Sequence, residues 1–329
     1  MRYAVLGGGG VFGLHTSATL LKSTETERVL AVGRNPEKPE AFSLKIGEND
    51  PRYSYHAIHI TYELDRLMEL LDRERPDVIV NFAAQGEGAV SWKKSWRFFE
   101  TNAVALAKIV EELMSRDYLK RWIQIGTSEL YGPVISPAKE DDPITPTSPY
   151  AASKAAADMH LISISQALEF PMNIIRPSNA YAPGQQLHRV VPRAVVCGLT
   201  GQKLPLHGGG RARKSYIHAR DLGRAILLVS RGAPLGRVYN AGPPEPISIH
   251  DLVAQIARAL EVPFEKLCEI TGERLGQDSQ YWLDSTAIRE DTGWEPQISL
   301  EDGLCEMVEW GRKYIDVLKS WPVDYVLRA

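Results

Sequence analysis

The chain has 329 residues, of which 44% are hydrophobic and 24% are charged, and its formal net charge is -3. A chain of this length can bury a large core, and its balance of charge gives no basic surface of the kind that nucleic acids need. Its three cysteines, Cys197, Cys268 and Cys305, are scattered, which argues against a disulfide framework and against a metal cluster.

No stretch approaches the roughly 20 apolar residues of a membrane helix. The segment Met1–Leu6 also lacks the long apolar run of a signal peptide. We therefore expect a cytoplasmic protein that uses neither a membrane nor a metal.

The first predicted strand, Tyr3–Leu6, leads directly into a glycine-rich turn. Gly7, Gly10 and Gly13 have the spacing G-x-x-G-x-x-G, and a helix through Leu21 follows. Glycines allow a tight turn and a close approach of the backbone to a pyrophosphate, which rests on the helix N-terminus. Ordinary turns also use glycine, but the position after a first strand favours a dinucleotide site, to which Val11 and Phe12 belong as well.

The second predicted strand, Val29–Val32, ends at Gly33 and Arg34. An acidic residue there would bind the ribose hydroxyls of NAD, whereas a cation suits the 2′-phosphate of NADP. The cofactor is therefore predicted to be NAD(P), with NADP favoured, although Arg34 also fits a solvated surface cation.

Helix-length segments separate the predicted strands along the first half of the chain. This alternation predicts an α/β fold of the Rossmann type, with a doubly wound parallel sheet. The predicted strands after the first are Val29–Val32, Ala57–Ile60, Val78–Phe82, Trp122–Ile125 and Met172–Ile175.

Two groups of reactive side chains follow the predicted strand at Trp122–Ile125. Thr127 and Glu129 are two residues apart, so both point to one side at the carboxyl edge of the sheet, where such sheets bind ligands. Ser148 and Pro149 are typical of a helix start.

The helix that begins at Ser148 and Pro149 places Tyr150 and Lys154 four residues apart on one face. A nearby ammonium favours the phenolate, so Tyr150 could act as a base below its ordinary pKa of about 10. The Tyr-x-x-x-Lys spacing is common by chance, and it gains weight from the glycine turn.

Several segments together resemble the extended short-chain dehydrogenase/reductase superfamily, in its nucleotide-sugar epimerase/dehydratase branch. The similarity covers nearly the whole chain, and residues 127–132, Thr-Ser-Glu-Leu-Tyr-Gly, are particularly similar to GDP-mannose 4,6-dehydratases. The other matching segments are Leu6–Gly13, Asn81–Gln85, Arg176–Tyr181 and Arg274–Asp278.

The resemblance implies a dinucleotide-binding domain over residues 1–177, with returning segments near 216–254. It also implies a smaller nucleotide-sugar-binding α/β lobe over residues 178–329. Ala83 and Ala84 would contact the cofactor, and the expected contacts to a nucleotide-diphosphate sugar are Gln85, Glu87, Asn179, Arg189, Arg213 and Arg274. Glu87 replaces a neutral or cationic residue of the family, so either the sugar is unusual or Glu87 points to solvent.

The roles of the reactive residues also follow from the resemblance. Tyr150, with Thr127 and Lys154, would remove the proton of the sugar 4-hydroxyl while hydride leaves C4 for a tightly bound, recycled nicotinamide. Glu129 would then remove the C5 proton, and water would leave from C6. Ser128 stands where other dehydratases have an acid, so the proton for that water would come through Glu129 or a serine-bound water.

Three other functions remain open. UDP-glucuronate decarboxylases share a Thr-Ser-Glu segment, but the arginine that they use near Tyr216 is Lys214 here. A 4-epimerase would use Thr127, Tyr150 and Lys154 without a base at 129. A catalytically idle nucleotide-binding member would keep the motifs for packing alone.

Relatives form homodimers through a four-helix contact. The matching helices are the one after Tyr150 and the one that holds Trp92, Trp96, Phe98 and Phe99 and continues into Val104–Leu106. The resemblance therefore predicts a homodimer, while ordinary core packing is the other reading of these aromatic residues.

Overall fold

The computed structural model describes residues 1–36, 38–272 and 278–325. The strands are β1 Arg2–Leu6, β2 Arg28–Gly33, β3 Tyr53–Ala57, β4 Val78–Asn81, β5 Arg121–Ile125, β6 Met172–Pro177, β7 Asn179–Tyr181, β8 Leu204–His207, β9 Arg213–Lys214, β10 Tyr216–His218, β11 Val238–Ala241, β12 Ile247–Ser248, β13 Cys268–Thr271 and β14 Gln280–Tyr281.

The helices are α1 Val11–Leu21, α2 Glu40–Ser43, α3 Leu64–Glu74, α4 Trp96–Phe99, α5 Ala105–Leu113, α6 Pro149–Leu168, α7 Val190–Thr200, α8 Ala219–Gly232, α9 Ile249–Leu260, α10 Phe264–Leu267, α11 Thr286–Thr292 and α12 Leu300–Leu318. A wider π turn, Glu100–Val104, joins α4 to α5, and a short 3₁₀ turn, Ser128–Tyr131, follows β5.

The main sheet has seven strands in the order β11-β6-β5-β4-β1-β2-β3. Every neighbouring pair in it is parallel. The strand order reverses between β1 and β4, and ligands bind outside the carboxyl ends of strands at such a reversal. The sheet therefore places the glycine turn after β1 beside the segments that follow β4 and β5.

Helices cover both faces of the main sheet. Leu67 of α3, Ile109 of α5 and Leu161 of α6 belong to the core on one face. Leu20 of α1 and Ile226 of α8 belong to the core on the other face. The predicted Rossmann-type α/β fold is thus confirmed.

A further core lies among the later elements. It contains Val195 of α7, Ile256 of α9 and Met307 of α12, and Phe42 of α2 joins it from the first half of the chain. The strand β11 returns to the main sheet beside β6. The residue limits of the two predicted lobes, 1–177 and 178–329, stay a prediction.

The third strand differs from the prediction. It spans Tyr53–Ala57 rather than Ala57–Ile60, and it pairs only with β2, at the edge of the sheet. An edge strand is half covered, so polar side chains suit it. Ile58 and Ile60, in contrast, are buried, and they pack into the core beyond the end of the strand.

In the part of the chain that the structure describes, no helix is long and apolar enough to cross a membrane. Within the same residues, no group of histidine, cysteine, aspartate or glutamate side chains could hold a metal ion. None of the three cysteines forms a disulfide.

Candidate active site

The glycine turn after β1 forms a cradle with no room for side chains. Gly7 has a φ of +78°, and a Cβ there would lie 2.7 Å from the backbone nitrogen of Ala83. A Cβ at Gly13 would lie 2.7 Å from the carbonyl oxygen of Gly7. The helix α1 starts directly after Gly10, so its unpaired N–H groups face this turn. These features fit a dinucleotide pyrophosphate.

A cavity of about 610 Å³ begins at this cradle and continues over the ends of β4 and β5. Each of the candidate catalytic residues lines it: Thr127, Ser128, Glu129, Tyr150 and Lys154. The candidate cofactor-binding residues that line it are Gly7, Gly10, Val11, Phe12, Gly13, Arg34 and Ala84. Ala83 packs against Gly7 behind this surface.

Hydrogen bonds between hydroxyl side chains and the backbone fix the two segments that carry the reactive residues. The Thr127 hydroxyl accepts a hydrogen bond from the backbone N–H of Glu129 at 3.2 Å, which starts the short 3₁₀ turn after β5. The Ser148 hydroxyl accepts one from the backbone N–H of Ala151 at 3.1 Å and caps α6. Together with Pro149, this cap is the helix start that the sequence predicted.

The carboxylate of Glu129 and the ring of Tyr150 both lie close to Gly88. A Cβ built on Gly88 would lie 3.3 Å from Oε2 of Glu129 and 3.9 Å from Cδ1 of Tyr150. The Thr127 hydroxyl lies close enough to the Tyr150 phenol to lower its pKa. The carboxylate and the aromatic ring therefore border the same part of the cavity.

The electrostatics of Tyr150 differ from the expectation. Burial raises its pKa above the ordinary value, Glu129 raises it further, and the nearby Thr127 hydroxyl lowers it. Lys154 was expected to depress this pKa, but its Nζ donates to the carbonyl oxygen of Ile125 at 2.5 Å. In the protein alone the phenol is therefore neutral at physiological pH.

Burial also raises the pKa of the Glu129 carboxyl. The nearby charges of Lys214 and Arg189 oppose this rise, whereas Glu87 and Asp278 add to it. A carboxyl with a raised pKa is a better base towards a weakly acidic carbon.

The carboxylate of Glu87 is buried and paired. Its Oε2 lies 3.4 Å from Nη1 of Arg189 and 3.5 Å from Nε2 of His188. Burial and Arg189 lower the pKa of His188 to about 4, so this histidine is neutral at physiological pH. The alternative that Glu87 points to solvent is wrong, because the residue is 8% exposed and lines the cavity.

Residues from the later part of the chain also line the cavity. Local sequence patterns did not predict that they would lie together. Nζ of Lys214 lies 3.8 Å from the ring centre of Tyr281, and the Tyr281 hydroxyl donates to Asp278 at 2.5 Å. Asp278 ends a segment that the family resemblance had singled out, and Lys214 had appeared as a substitution. Tyr281 and Tyr325, which also line the cavity, gave no signal.

Three of the residues predicted to contact the substrate are not among the described residues that line the cavity. Arg213 does not line the cavity, because neighbours in a strand point to opposite faces and its guanidinium donates to the carbonyl oxygen of Pro246 at 2.7 Å. Gln85 lies just behind the cavity lining, where its side-chain oxygen accepts from the Tyr325 hydroxyl. Arg274 lies outside the described residues, while Asn179 and Arg189 line the cavity.

Comparison with known proteins agrees with this geometry. The model of the NAD dependent epimerase/dehydratase family matches residues 3–242. The chain belongs to this family.

Individual relatives extend the match. The chain is 33% identical over 248 residues to a dTDP-glucose 4,6-dehydratase of Streptomyces niveus, an alignment that covers 74% of this chain and 73% of the relative. A dTDP-glucose 4,6-dehydratase of Bacillus anthracis, solved in complex with NAD, has a TM-score of 0.87 and 29% identity, covering 97% of this chain and 99% of that one.

Epimerases of the family have the same fold. The UDP-glucose 4-epimerase of Thermotoga maritima, solved with UDP-glucose, has a TM-score of 0.86 and 25% identity, covering 96% of this chain and 100% of that one. The predicted epimerase/dehydratase branch is thus confirmed, and the choice between its reactions depends on the side chains of the site.

Proposed function

We propose that this protein is an NAD(P)-dependent nucleotide-sugar 4,6-dehydratase. The observation that carries the proposal is the position of the Glu129 carboxylate and the Tyr150 ring on either side of one spot at Gly88. The names of the relatives from Streptomyces niveus and Bacillus anthracis support it.

The side chains divide the reaction between them. When bound, the nicotinamide would supply a hydride acceptor that is also able to act as a hydride donor. Tyr150, beside Thr127, would take the proton of the 4-hydroxyl as its phenolate, which leaves a 4-keto sugar. The phenol is neutral in the protein alone, so its own proton must leave before this step. Lys154 lines the cofactor part of the cavity and supplies positive charge there.

The ketone acidifies the proton on C5, and Glu129 removes it. The hydroxyl on C6 leaves with this proton as water, delivered by Glu129 or through Ser128. The proton first taken by Tyr150 balances the one that C5 regains when hydride reaches C6. The net change is the loss of one water, and the raised pKa of Glu129 suits both proton transfers.

The charges of the cavity favour a neutral sugar over a uronate. Glu87, Glu129 and Asp278 line the cavity and would repel a sugar carboxylate. The guanidinium of Arg189 lies 3.4 Å from the Glu87 carboxylate, which offsets part of its positive charge. This arrangement supports dehydration over the decarboxylation of UDP-glucuronate, and a 4-epimerase would leave Glu129 without a role.

The diphosphate of the substrate requires polar and cationic contacts. Asn179, Arg189 and Lys214 line the cavity and are our candidates for them, together with Arg274. The base of the nucleotide and the similarity of residues 127–132 to GDP-mannose 4,6-dehydratases stay predictions.

NADP is our proposal for the cofactor, although the relative from Bacillus anthracis was solved with NAD. Arg34, directly after β2, and Lys38 line the same cavity. A 2′-phosphate there would interact with Arg34, so Arg34→Ala should weaken NADP binding at least tenfold more than NAD binding. Equal losses in titrations with the two cofactors would contradict this choice.

A homodimer is part of the proposal. Trp96 and Phe99 on α4, Val104 on the π turn and Met159 on α6 are large apolar residues that remain exposed. Phe98 is fully buried, and Trp92 lies in the turn before α4. Two helical segments thus carry an apolar surface that a second copy of the chain would cover.

A substrate panel tests the reaction. The purified protein is incubated with GDP-mannose, dTDP-glucose, UDP-glucose, UDP-GlcNAc or UDP-glucuronate. The masses of the products are measured by mass spectrometry. We expect loss of water. Loss of carbon dioxide would indicate decarboxylation, an unchanged mass with an altered sugar NMR spectrum would indicate epimerisation, and no turnover would support an idle protein.

Glu129→Gln tests the role of the carboxylate. We expect this variant to lose water elimination at least a hundredfold while it still binds cofactor and reduces it, seen as absorbance of the reduced nicotinamide. Glu269→Gln, an exposed change on β13, is the matched control and should behave like the parent. Normal dehydration by Glu129→Gln would refute the assignment.

A further inference from the structure

Lys154 is one of three buried charged residues in this part of the protein, together with Asp158 and Arg176. Lys154 is 3% exposed, Asp158 is 0% exposed and Arg176 is 1% exposed. Lys154 and Asp158 stand four residues apart on α6, which places them on one helical face. Nε of Arg176, on β6, donates to Oδ2 of Asp158 at 3.0 Å. Charges at this depth require partners: Asp158 and Arg176 form an ion pair, and the charge of Asp158 also acts on Lys154.

The Asp158 carboxylate has capacity for a second cation. Among residues 1–36, 38–272 and 278–325, its Oδ1 has no hydrogen-bond partner, although it is closed off from solvent. Burial lowers the pKa of Lys154 to about 8, and the charge of Asp158 opposes this decrease. Asp158 therefore favours the ammonium form of a lysine that burial would otherwise neutralise.

Arg176 connects this pair to the turn that carries Glu129. Its Nη1 donates to the hydroxyl of Tyr131 at 2.7 Å and to the carbonyl oxygen of Glu140 at 3.1 Å. Tyr131 ends the short 3₁₀ turn of Glu129 and donates to Asn240 at 2.9 Å. One guanidinium thus joins α6 to the turn after β5.

We propose that Asp158, held by Arg176 and four residues from Lys154 on the same helix, is a positioning residue that keeps the Lys154 side chain charged beside the Tyr150 site. The charge of Asp158 acts on the ammonium from α6, and the carbonyl oxygen of Ile125 at the end of β5 accepts a hydrogen bond from it. Asp158 in turn faces Lys154 and the guanidinium of Arg176. The part that concerns turnover rests on the proposed function, and the part that concerns the charge of Lys154 does not.

The charge of Lys154 can be measured without a substrate. The full chain is labelled with ¹³C-lysine, and the Lys154 side-chain signal is assigned by its loss in Lys154→Arg. We expect it to titrate near pH 8 in the parent. In Asp158→Asn the midpoint should fall by about one pH unit or more, a tenfold weaker proton affinity. An unchanged midpoint would overturn the proposal.

Two further variants separate this effect from damage to the fold. Asp158→Asn leaves the Arg176 guanidinium without its counter-charge, so the double variant Asp158→Asn with Arg176→Gln removes both charges and should show the same fall. Asp221→Asn is the matched control, because Asp221 is 1% exposed and accepts from the backbone N–H groups of Gln297 and Ile298. Its Lys154 midpoint should equal that of the parent.

Kinetics then test the consequence for turnover. If Lys154 acts as its ammonium, the alkaline limb of the kcat profile of Asp158→Asn should move to lower pH while KM changes little, and Asp158→Glu should restore it in part. A lysine midpoint that moves without any change in the kcat profile would overturn the link to turnover. Absence of dehydration in the parent would refute the proposed function and leave the titration result standing.

Discussion

Gly88 lies where an added side chain would crowd the Glu129 carboxylate and approach the Tyr150 ring. A Cβ there would lie 3.3 Å from Oε2 of Glu129, closer than most side chains tolerate, so Gly88→Ala must displace the carboxylate by a few tenths of an ångström. Small displacements of catalytic groups are costly, and we expect a loss in kcat/KM on the order of tenfold. Steady-state kinetics measure this loss.

The control for Gly88→Ala is Gly232→Ala at the end of α8. A Cβ at Gly232 has no atom within 4 Å, so this change tests the loss of a glycine without any steric effect. It should leave kcat/KM as in the parent. Equal activities of the two variants would show that the space beside Gly88 is not used.

Glu129 should make the protein less stable as the pH rises. Burial raises its pKa above the ordinary 4.5, so between 4.5 and the folded-state pKa the folded protein binds more protons than the unfolded chain. The free energy of unfolding therefore falls as the pH rises through this window, and the loss is complete above it. Each pKa unit corresponds to about 1.4 kcal/mol.

Glu129→Gln removes this titration. The variant should be more stable than the parent at neutral pH, on the order of 1 kcal/mol, and the difference should disappear below about pH 4.5. Denaturant unfolding across this pH range measures it. Glu269→Gln, on the exposed surface of β13, should differ from the parent by the same small amount at every pH. A constant difference for Glu129→Gln as well would contradict the raised pKa.

At the scale of elements, α6 matters most because it carries Tyr150, Lys154 and Asp158. Its cap is the Ser148 hydroxyl, 3.1 Å from the backbone nitrogen of Ala151. Ser148→Ala should destabilise the fold by about 1 kcal/mol. It should also lower kcat, because the first turn of the helix holds Tyr150.

Ser248→Ala is a control with the same chemistry. Ser248 caps α9, where its hydroxyl accepts from the backbone N–H of Asp251 at 3.0 Å. We expect a similar loss of stability in chemical denaturation without any change in kcat. If both variants lost the same fraction of kcat, global destabilisation rather than the position of Tyr150 would explain the effect.

The elements that the sequence predicted well have strong local signals. The start of α6 has a capping serine and a proline within two residues, and the turn after β1 has Gly7 and Gly13, where a Cβ would lie 2.7 Å from backbone atoms. The third strand was misplaced because Tyr53–Ala57 is an edge strand with few apolar residues, whereas the apolar Ile58 and Ile60 follow it.

The residues that the later half of the chain contributes to the site had no local sequence signal. Arg189, Lys214 and Tyr281 meet Glu129 only because the later half of the chain folds back over the carboxyl ends of the strands. The partner of Glu87 could not be predicted either, since a buried ion pair looks the same in sequence as two surface charges. Contacts between distant segments depend on packing that periodicity does not encode.

At the scale of the molecule, the exposed apolar side chains of α4, the π turn and α6 predict the assembly. Val104 is 49% exposed and Met159 is 46% exposed. Val104→Glu places a charge on this surface at little cost to an exposed helical position, so it should dissociate a dimer while the monomer stays folded. Sedimentation velocity measures the mass.

Ile270→Glu is the control for this variant. Ile270 is 73% exposed on β13, away from these helices, so its substitution should leave the dimer intact. A parent protein that sediments as a monomer, or a Val104→Glu variant that stays dimeric, would show that another surface or none holds two chains together.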